Sequence, residues 1–326
     1  MRMFGGFGFA ALCVAGMIVV AARPAGADMQ IGKFTVAFAF MQAHRNGDFV
    51  VPGLIRGESP DGDFRADRAI GNYQRKQVTL IGHVVLHERP ASAPHTPPQA
   101  PLTLTADQLH IDSPTQTYIA TGSARAVQGA RSLVADSIAL NDQTHEGVFT
   151  GNVTAADSGR TLSSQEIHYN TVTGAIDIPV AVTGKQADGD FSADRAIGNQ
   201  RAGTYTLFGH VVVHRAGGQR SAATSQQPFT LVCDRLDIAS LTKMYVADGD
   251  VSVSQGDRTM NAPHLTLDDN THIATMTGGV RGLQKPNSTF DAAELIYNTQ
   301  TEDFKALGGV RLTFPYRRGG TATTGH

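Results

Sequence analysis

The chain has 326 residues, 41% apolar and 17% charged, with a formal net charge of −2. That balance excludes the broad basic surface that draws nucleic acid by counterion release, and the apolar content suffices for one large or two ordinary globular domains. Trp is absent, Gly reaches 35, and Thr, Val and Ala are plentiful, a mixture suited to short strands and tight turns rather than helices.

Residues 1–27 read as an export signal, with Arg2 supplying charge, Phe4 to Ala22 apolar or Gly, and Ala25-Gly26-Ala27 offering small residues for cleavage before Asp28. The expected location is the periplasm, with an uncleaved inner-membrane anchor as the alternative, since 19 such residues are about enough to span a bilayer. Leu12 before Cys13 argues against a lipoprotein signal. Without the leader Cys233 is the sole thiol, so no intrachain disulfide can form. The N-terminal segment 28–48 contains FTVAFAF (34–40), a candidate edge strand.

From residue 49 the sequence repeats itself. DGDFRADRAIGN (61–72) returns as DGDFSADRAIGN (188–199), 127 positions on, with Arg65 replaced by Ser192. QVTLIGHVVLH (77–87) returns as TYTLFGHVVVH (204–214) and LTADQLHI (104–111) as LVCDRLDI (231–238), with a slip of one residue near Tyr169 and Tyr297. Two tandem homologous modules are therefore expected, at 49–175 and 176–312. The proline-rich RPASAPHTPPQAP (89–101) and its polar counterpart at 215–228 read as mobile loops, and 313–326 as a disordered tail.

Within each module a shorter unit recurs, beginning near Phe64, Leu104, Leu133, Leu162, Phe191, Leu231, Met260 and Phe290. Leu133, Ala135, Asp136, Ile138 and Leu140 show its first half; Phe149, Gly151, Val153 and Ala155 show its second. A period of two marks strands with one buried face, and the apolar phase slips by one residue at the Asp, which calls for a bulge or bend. Turn formers such as NDQTHEG (141–147) join the halves. The expected fold is all-β: an elongated stack of about sixteen antiparallel strands, in two facing sheets about 40 Å long at ~4.8 Å per strand.

Chemistry-bearing residues are mostly absorbed by this repeat. Asp67, Asp107, Asp136, Asp194 and Asp234 recur in register, so they are expected to serve the bends by accepting backbone N–H hydrogen bonds, rather than to hold a metal. His83 with His87, and His210 with His214, have helical metal-site spacing, but on a strand such positions lie about 13 Å apart, too far for one ion. Cys233 stands where sister units carry Ala106 and Ala193 and reads as a small buried residue. No nucleophile elbow, phosphate loop or zinc-spaced cysteine pair is present, so neither an enzyme, a cofactor nor a metal is expected.

The pattern LTADQLHI…ATGSARA (103–126), LVADSIALNDQTHEGVFTGNV (133–153) and FDAAELIYNTQTEDFKALGGV (290–310), with both ADRAIGN…GHV segments, resembles the OstA-like domain of the lipopolysaccharide-transport periplasmic proteins, LptA and LptC among them. The resemblance covers most of 49–312 and implies a twisted open β-jellyroll, or β-taco. Its sheets would enclose an apolar groove for acyl chains, and its end strands would pair with the next transport protein or head to tail with another copy. It brings no catalytic residues. The expected groove residues are Leu80, Val84, Leu104, Leu109, Leu133, Ile138, Phe149, Val153, Leu207, Val211, Leu231, Leu236, Leu265 and Leu267. The expected cargo is lipopolysaccharide or a related glycolipid. A structural or adhesive β-repeat protein with a dry core is the rival from another class.

Overall fold

The computed structural model describes residues 29–31, 34–89, 100–216, 218–221, 224–226, 228–284 and 288–314; the leader, most of the proline-rich loop and most of the expected tail lie outside them. Every regular element among the described residues is a strand. The first fifteen are β1 (Met29–Ile31), β2 (Phe34–Phe38), β3 (Gln42–Ala43), β4 (Asp48–Val51), β5 (Ile55–Ser59), β6 (Gly62–Ala66), β7 (Arg68–Asn72), β8 (Gln77–Glu88), β9 (Leu102–Asp112), β10 (Thr117–Gln128), β11 (Arg131–Asn141), β12 (Glu146–Asp157), β13 (Arg160–Asn170), β14 (Ala175–Ile178) and β15 (Val182–Gln186). With β17 they form an N-terminal unit. After β16 (Gly189–Ala193) and β17 (Arg195–Asn199), the C-terminal unit continues with β18 (Thr204–Arg215), β19 (Gly218–Ser221), β20 (Thr224–Gln226), β21 (Phe229–Ala239), β22 (Met244–Gln255), β23 (Arg258–Asp268), β24 (Ile273–Gln284), β25 (Ser288–Asn298), β26 (Phe304–Leu307) and β27 (Arg311–Thr313). The division in sequence runs through 188–205, where β16 falls to one unit and β17 to the other.

The described residues thus form 27 strands where about sixteen were expected. The difference has a local cause. Several long strands break in two at the bend instead of bulging: β4 and β5 are separated at Pro52, which has no N–H to give a ladder, β6 and β7 at Asp67, and β14 and β15 at Pro179. Further short strands precede residue 49, where FTVAFAF supplies β2, paired on one side with β1 and on the other with β5.

The 127-residue repeat is a repeat of pairing as well as of letters. Asp48↔Asn72 recurs as Ala175↔Asn199, Gly62↔Glu88 as Gly189↔Arg215, and Thr117↔Asp112 as Met244↔Ala239. The slip of one residue lies in a turn: Asp157 and Arg160 close the β12–β13 hairpin, whereas Gln284 and Ser288 close the β24–β25 hairpin with one position more. A turn absorbs an extra residue at the surface, whereas one inside a strand would send every following side chain to the other face.

Each long hairpin carries the bulge that the phase slip foretold. Between Ile81 and Val84 of β8 two residues face only Asp107 of β9, and the same irregularity recurs in β10, β12, β22 and β24. The two residues at each bulge are left-handed: Gly82 and His83 (φ 79° and 43°), Gly122 and Ser123 (78° and 47°), Gly151 and Asn152 (75° and 48°). Gly adopts this conformation without strain, and Asn, Asp and His are the other residues that tolerate it best. This accounts for the Gly-His pairs, with His210 (φ 43°) repeating His83. The Asp fifteen positions earlier lies directly over the Gly. A Cβ on Gly82, Gly122, Gly151 or Gly249 would fall on the carboxylate of Asp67, Asp107, Asp136 or Asp234.

The turns form a second ladder. Asn141 Oδ1 accepts the N–H groups of Gln143 and Thr144 at 2.9 and 2.8 Å, while its Nδ2 donates to the Thr115 carbonyl of the previous turn, 26 residues back. Asn170 repeats this toward Thr144, and Asn199 toward Thr173. Backbone bonds run alongside, from Asp142 N–H to the Gln116 carbonyl and from Thr171 N–H to the His145 carbonyl, at 3.0 and 2.8 Å. Gln116 and His145 are left-handed, which turns those carbonyls toward the next rung.

Both halves of every long strand bury the same face, so folding at the line of bends gives each unit the facing layers of a twisted jellyroll. Gly151→Ala is expected to destabilise by about 3 kcal/mol, combining left-handed strain with displacement of Asp136. Gly159→Ala, at a left-handed turn position with nothing within 4 Å of the added carbon, is expected to cost only about 1 kcal/mol. Urea unfolding of the two variants checks this order.

Candidate functional site

In the N-terminal unit the inward side chains line up across the strands in two rows. One runs Ala69, Leu80, Leu109, Ala120, Ile138, Phe149 and Ile167 through successive directly opposed pairs. The other runs Phe64, Leu86, Leu104, Ala126, Leu133, Ala155 and Leu162 on the far side of the bends. The C-terminal unit has its own rows, including Leu236, Ala247, Leu265, Met276 and Leu295. Large residues often face small ones, so the rows interlock.

All fourteen side chains expected in the groove lie on this inward face and are buried. Leu80, Val153 and Val211 are 0% exposed, and Leu231, the most exposed, reaches 9%. Ile167, Met276 and Leu295, not singled out from the sequence, belong to the same rows. Their signal was present, since Ile138 and Ile167 stand 29 residues apart at equivalent positions of consecutive units. Tyr205 keeps a hydroxyl buried without a hydrogen-bond partner, and burial raises its pKa.

The outer surface carries a different pattern. His83 Nδ1 lies 2.7 Å from Asp67 Oδ2, His87 Nδ1 2.9 Å from Asp63 Oδ1, and His214 Nδ1 3.0 Å from Asp190 Oδ1; His264 and Asp248 are 2.5 Å apart. Each of these imidazoles meets its own carboxylate across a strand pair, and no group of three metal-ligating side chains is assembled among the described residues. The expectation that the recurring Asp accept backbone N–H bonds needs correction. The hydrogen bonds seen for the Asp67 and Asp136 carboxylates come from the side chains of His83 and Asn152, and the common feature is contact with glycine. At the last two positions of the series Pro263 and Ala293 stand in the place of Asp, over Gly278 and Gly308. A role shared by Asp, Pro and Ala is steric. Cys233 is 2% exposed, and burial, reinforced by Asp234, pushes its thiol pKa up to about 12, so it stays protonated and unreactive.

The C-terminal unit ends in a bare edge. β25 pairs with β26 along one half and β27 along the other, and no strand among the described residues pairs with their far sides. In the first module the counterpart β14 is covered by β17. Phe304, Leu312 and Phe314 are 66%, 59% and 70% exposed there.

Residues 103–226 match the family model described as LptA/(LptD N-terminal domain) LPS transport protein. The structure of LptH, the LptA homologous periplasmic component of the conserved lipopolysaccharide transport device from Pseudomonas aeruginosa, aligns with 57% of this chain and 95% of its own, at 11% identity. The TM-score of that alignment is 0.22. No curated protein matches the chain.

The Asp67 hydrogen bond, followed by the charge of Asp67, raises the pKa of His83 above 6.5. The sign follows: the pair stabilises the fold fully below pH 6.5, and the contribution fades as pH rises through the elevated value. An NMR titration is expected to place the His83 midpoint above 6.5, and Asp67→Asn to return it toward 6.5.

Proposed function

We propose that the protein is a non-enzymatic periplasmic carrier of lipopolysaccharide or a related glycolipid, shielding acyl chains between its facing sheets and docking through its end strands. The observation that carries this is where the family match falls. Residues 103–226 include eight of the fourteen inward residues, from Leu104 to Val211, so the matched segment supplies a large part of the apolar rows. Covering a twelve-carbon chain is worth roughly 10 kcal/mol at about 0.8 kcal/mol per methylene, so a lipid with several chains needs a shielded route through water.

Because the inward residues are buried, acyl chains enter by separating the two layers at their turn-bearing margins. The bends, where Asp packs on Gly, act as the spine. Small side chains in the rows, such as Ala120, Ala126 and Ala155, leave room once the layers part. The same burial favours the rival reading, a structural β-repeat protein with a filled core.

Mass spectrometry of lipid extracted from protein purified from the periplasm separates the two. A glycolipid is expected in the parent and is expected to be lost from a folded Leu133→Asp/Val153→Asp variant. A stable parent that carries no lipid and binds none when lipopolysaccharide is added would establish the rival.

The bare edge at β26 and β27 is the proposed docking strand for another transport protein or a second copy, by strand addition. A photo-crosslinker at Leu312 is expected to capture such a partner. Phe304→Pro, which removes one backbone donor from β26 while the crosslinker stays at Leu312, is expected to reduce capture at least several-fold. Equal capture by both proteins would defeat the edge assignment.

A further inference from the structure

The two modules provide an internal control for residues that the fold does not require. In the β5–β6 hairpin Arg56 stands directly opposite Arg65, and the next outward pair is Glu58 opposite Asp63. Like charges directly opposed across strands destabilise a sheet. Neither Arg56 nor Arg65 has an ion-pair partner among the described residues, whereas Asp63 is engaged by His87 and lies 3.9 Å from Arg89. Arg56, Glu58, Asp63, Arg65 and Arg89, with Gly57 and Phe64, line an open depression of about 430 Å³ at the hairpin.

One period later, the scaffold is retained and the arginines are gone. Gly57, Asp63, Phe64 and His87 return as Gly184, Asp190, Phe191 and His214, and the His–Asp contact returns with them. Arg56, Arg65 and Arg89 are replaced by Thr183, Ser192 and Ala216. The second copy of this sequence thus lacks the three guanidiniums. Their gathering in the first module raises the electrostatic cost of the hairpin, and a bound anion would relieve it.

We propose that Arg56, Arg65 and Arg89 form an anion site for a phosphate monoester or diphosphate group. Guanidinium forks match phosphate oxygens bidentately, and two arginines opposed across a hairpin present their donors to one group from both sides. Phosphate offers three oxygens to guanidinium forks where a carboxylate offers two, so a cluster of three arginines fits a phosphate better. The site does not depend on the glycolipid reading, since a small phosphate needs no acyl chain.

The test uses the whole purified chain and inorganic pyrophosphate, followed by isothermal titration calorimetry at low and physiological salt. The variant Arg56→Thr/Arg65→Ser/Arg89→Ala installs the residues that the second module already uses. The parent is expected to bind, with affinity falling as salt rises, and the triple variant to bind at least about tenfold more weakly. If the triple variant does not fold, Arg65→Ser alone is expected to weaken binding. No binding by the parent, or equal binding by a folded variant, overturns the site. Phosphatidylcholine vesicles doped with phosphatidic acid then distinguish the sources. Capture of the parent but not the variant assigns the site to a lipid headgroup, and pyrophosphate binding without vesicle capture assigns it to free phosphate; either outcome upholds it.

Discussion

The architecture depends on one contact, a side chain laid over a bare glycine where each long strand bends. At that point the strand must carry two residues opposite one, both left-handed, and the neighbouring strand must fill the space a Cβ would take. Without the bend, each strand would continue as one flat half-buried ribbon, and its inward face would meet no second layer. Asp67, Asp107, Asp136 and Asp234 fill the space, and Pro263 and Ala293 do so without charge. The recurring aspartates are therefore part of the spine, although recurring carboxylates suggest a chemical site when seen as letters alone.

The all-β class, the alternation and the bend were legible because they rest on a period of two and on one phase slip. The tandem duplication was legible because Gly, Asp and Asn occupy positions that the backbone dictates, and pairing follows them residue for residue. The strand count was not legible. Whether a strand bulges or breaks at its bend depends on local features such as Pro52 and Pro179, which a hydrophobic pattern does not weigh.

The turn ladder went unread for another reason. Asn72, Asn141, Asn170, Asn199 and Asn298 all close a strand before a turn, and turn preference alone explains an Asn there. That the same amide also reaches back to the previous turn is a relation between rungs, visible only when turns are stacked. The buried face itself was easier to read, because a period of two identifies it. Burial does not distinguish a packed core from a closed groove, and the physical difference lies in how easily the layers separate.

The 29-residue spacing of Leu104, Leu133 and Leu162 makes the fold behave as a ruler. Each unit adds two strands, about 10 Å of apolar path at the usual strand spacing. Rungs bond chiefly to their nearest neighbours, so a whole unit gained or lost would leave the remaining registers intact, whereas a partial one would not. The path length available to such a chain is therefore quantised, and a lineage can lengthen it only in steps.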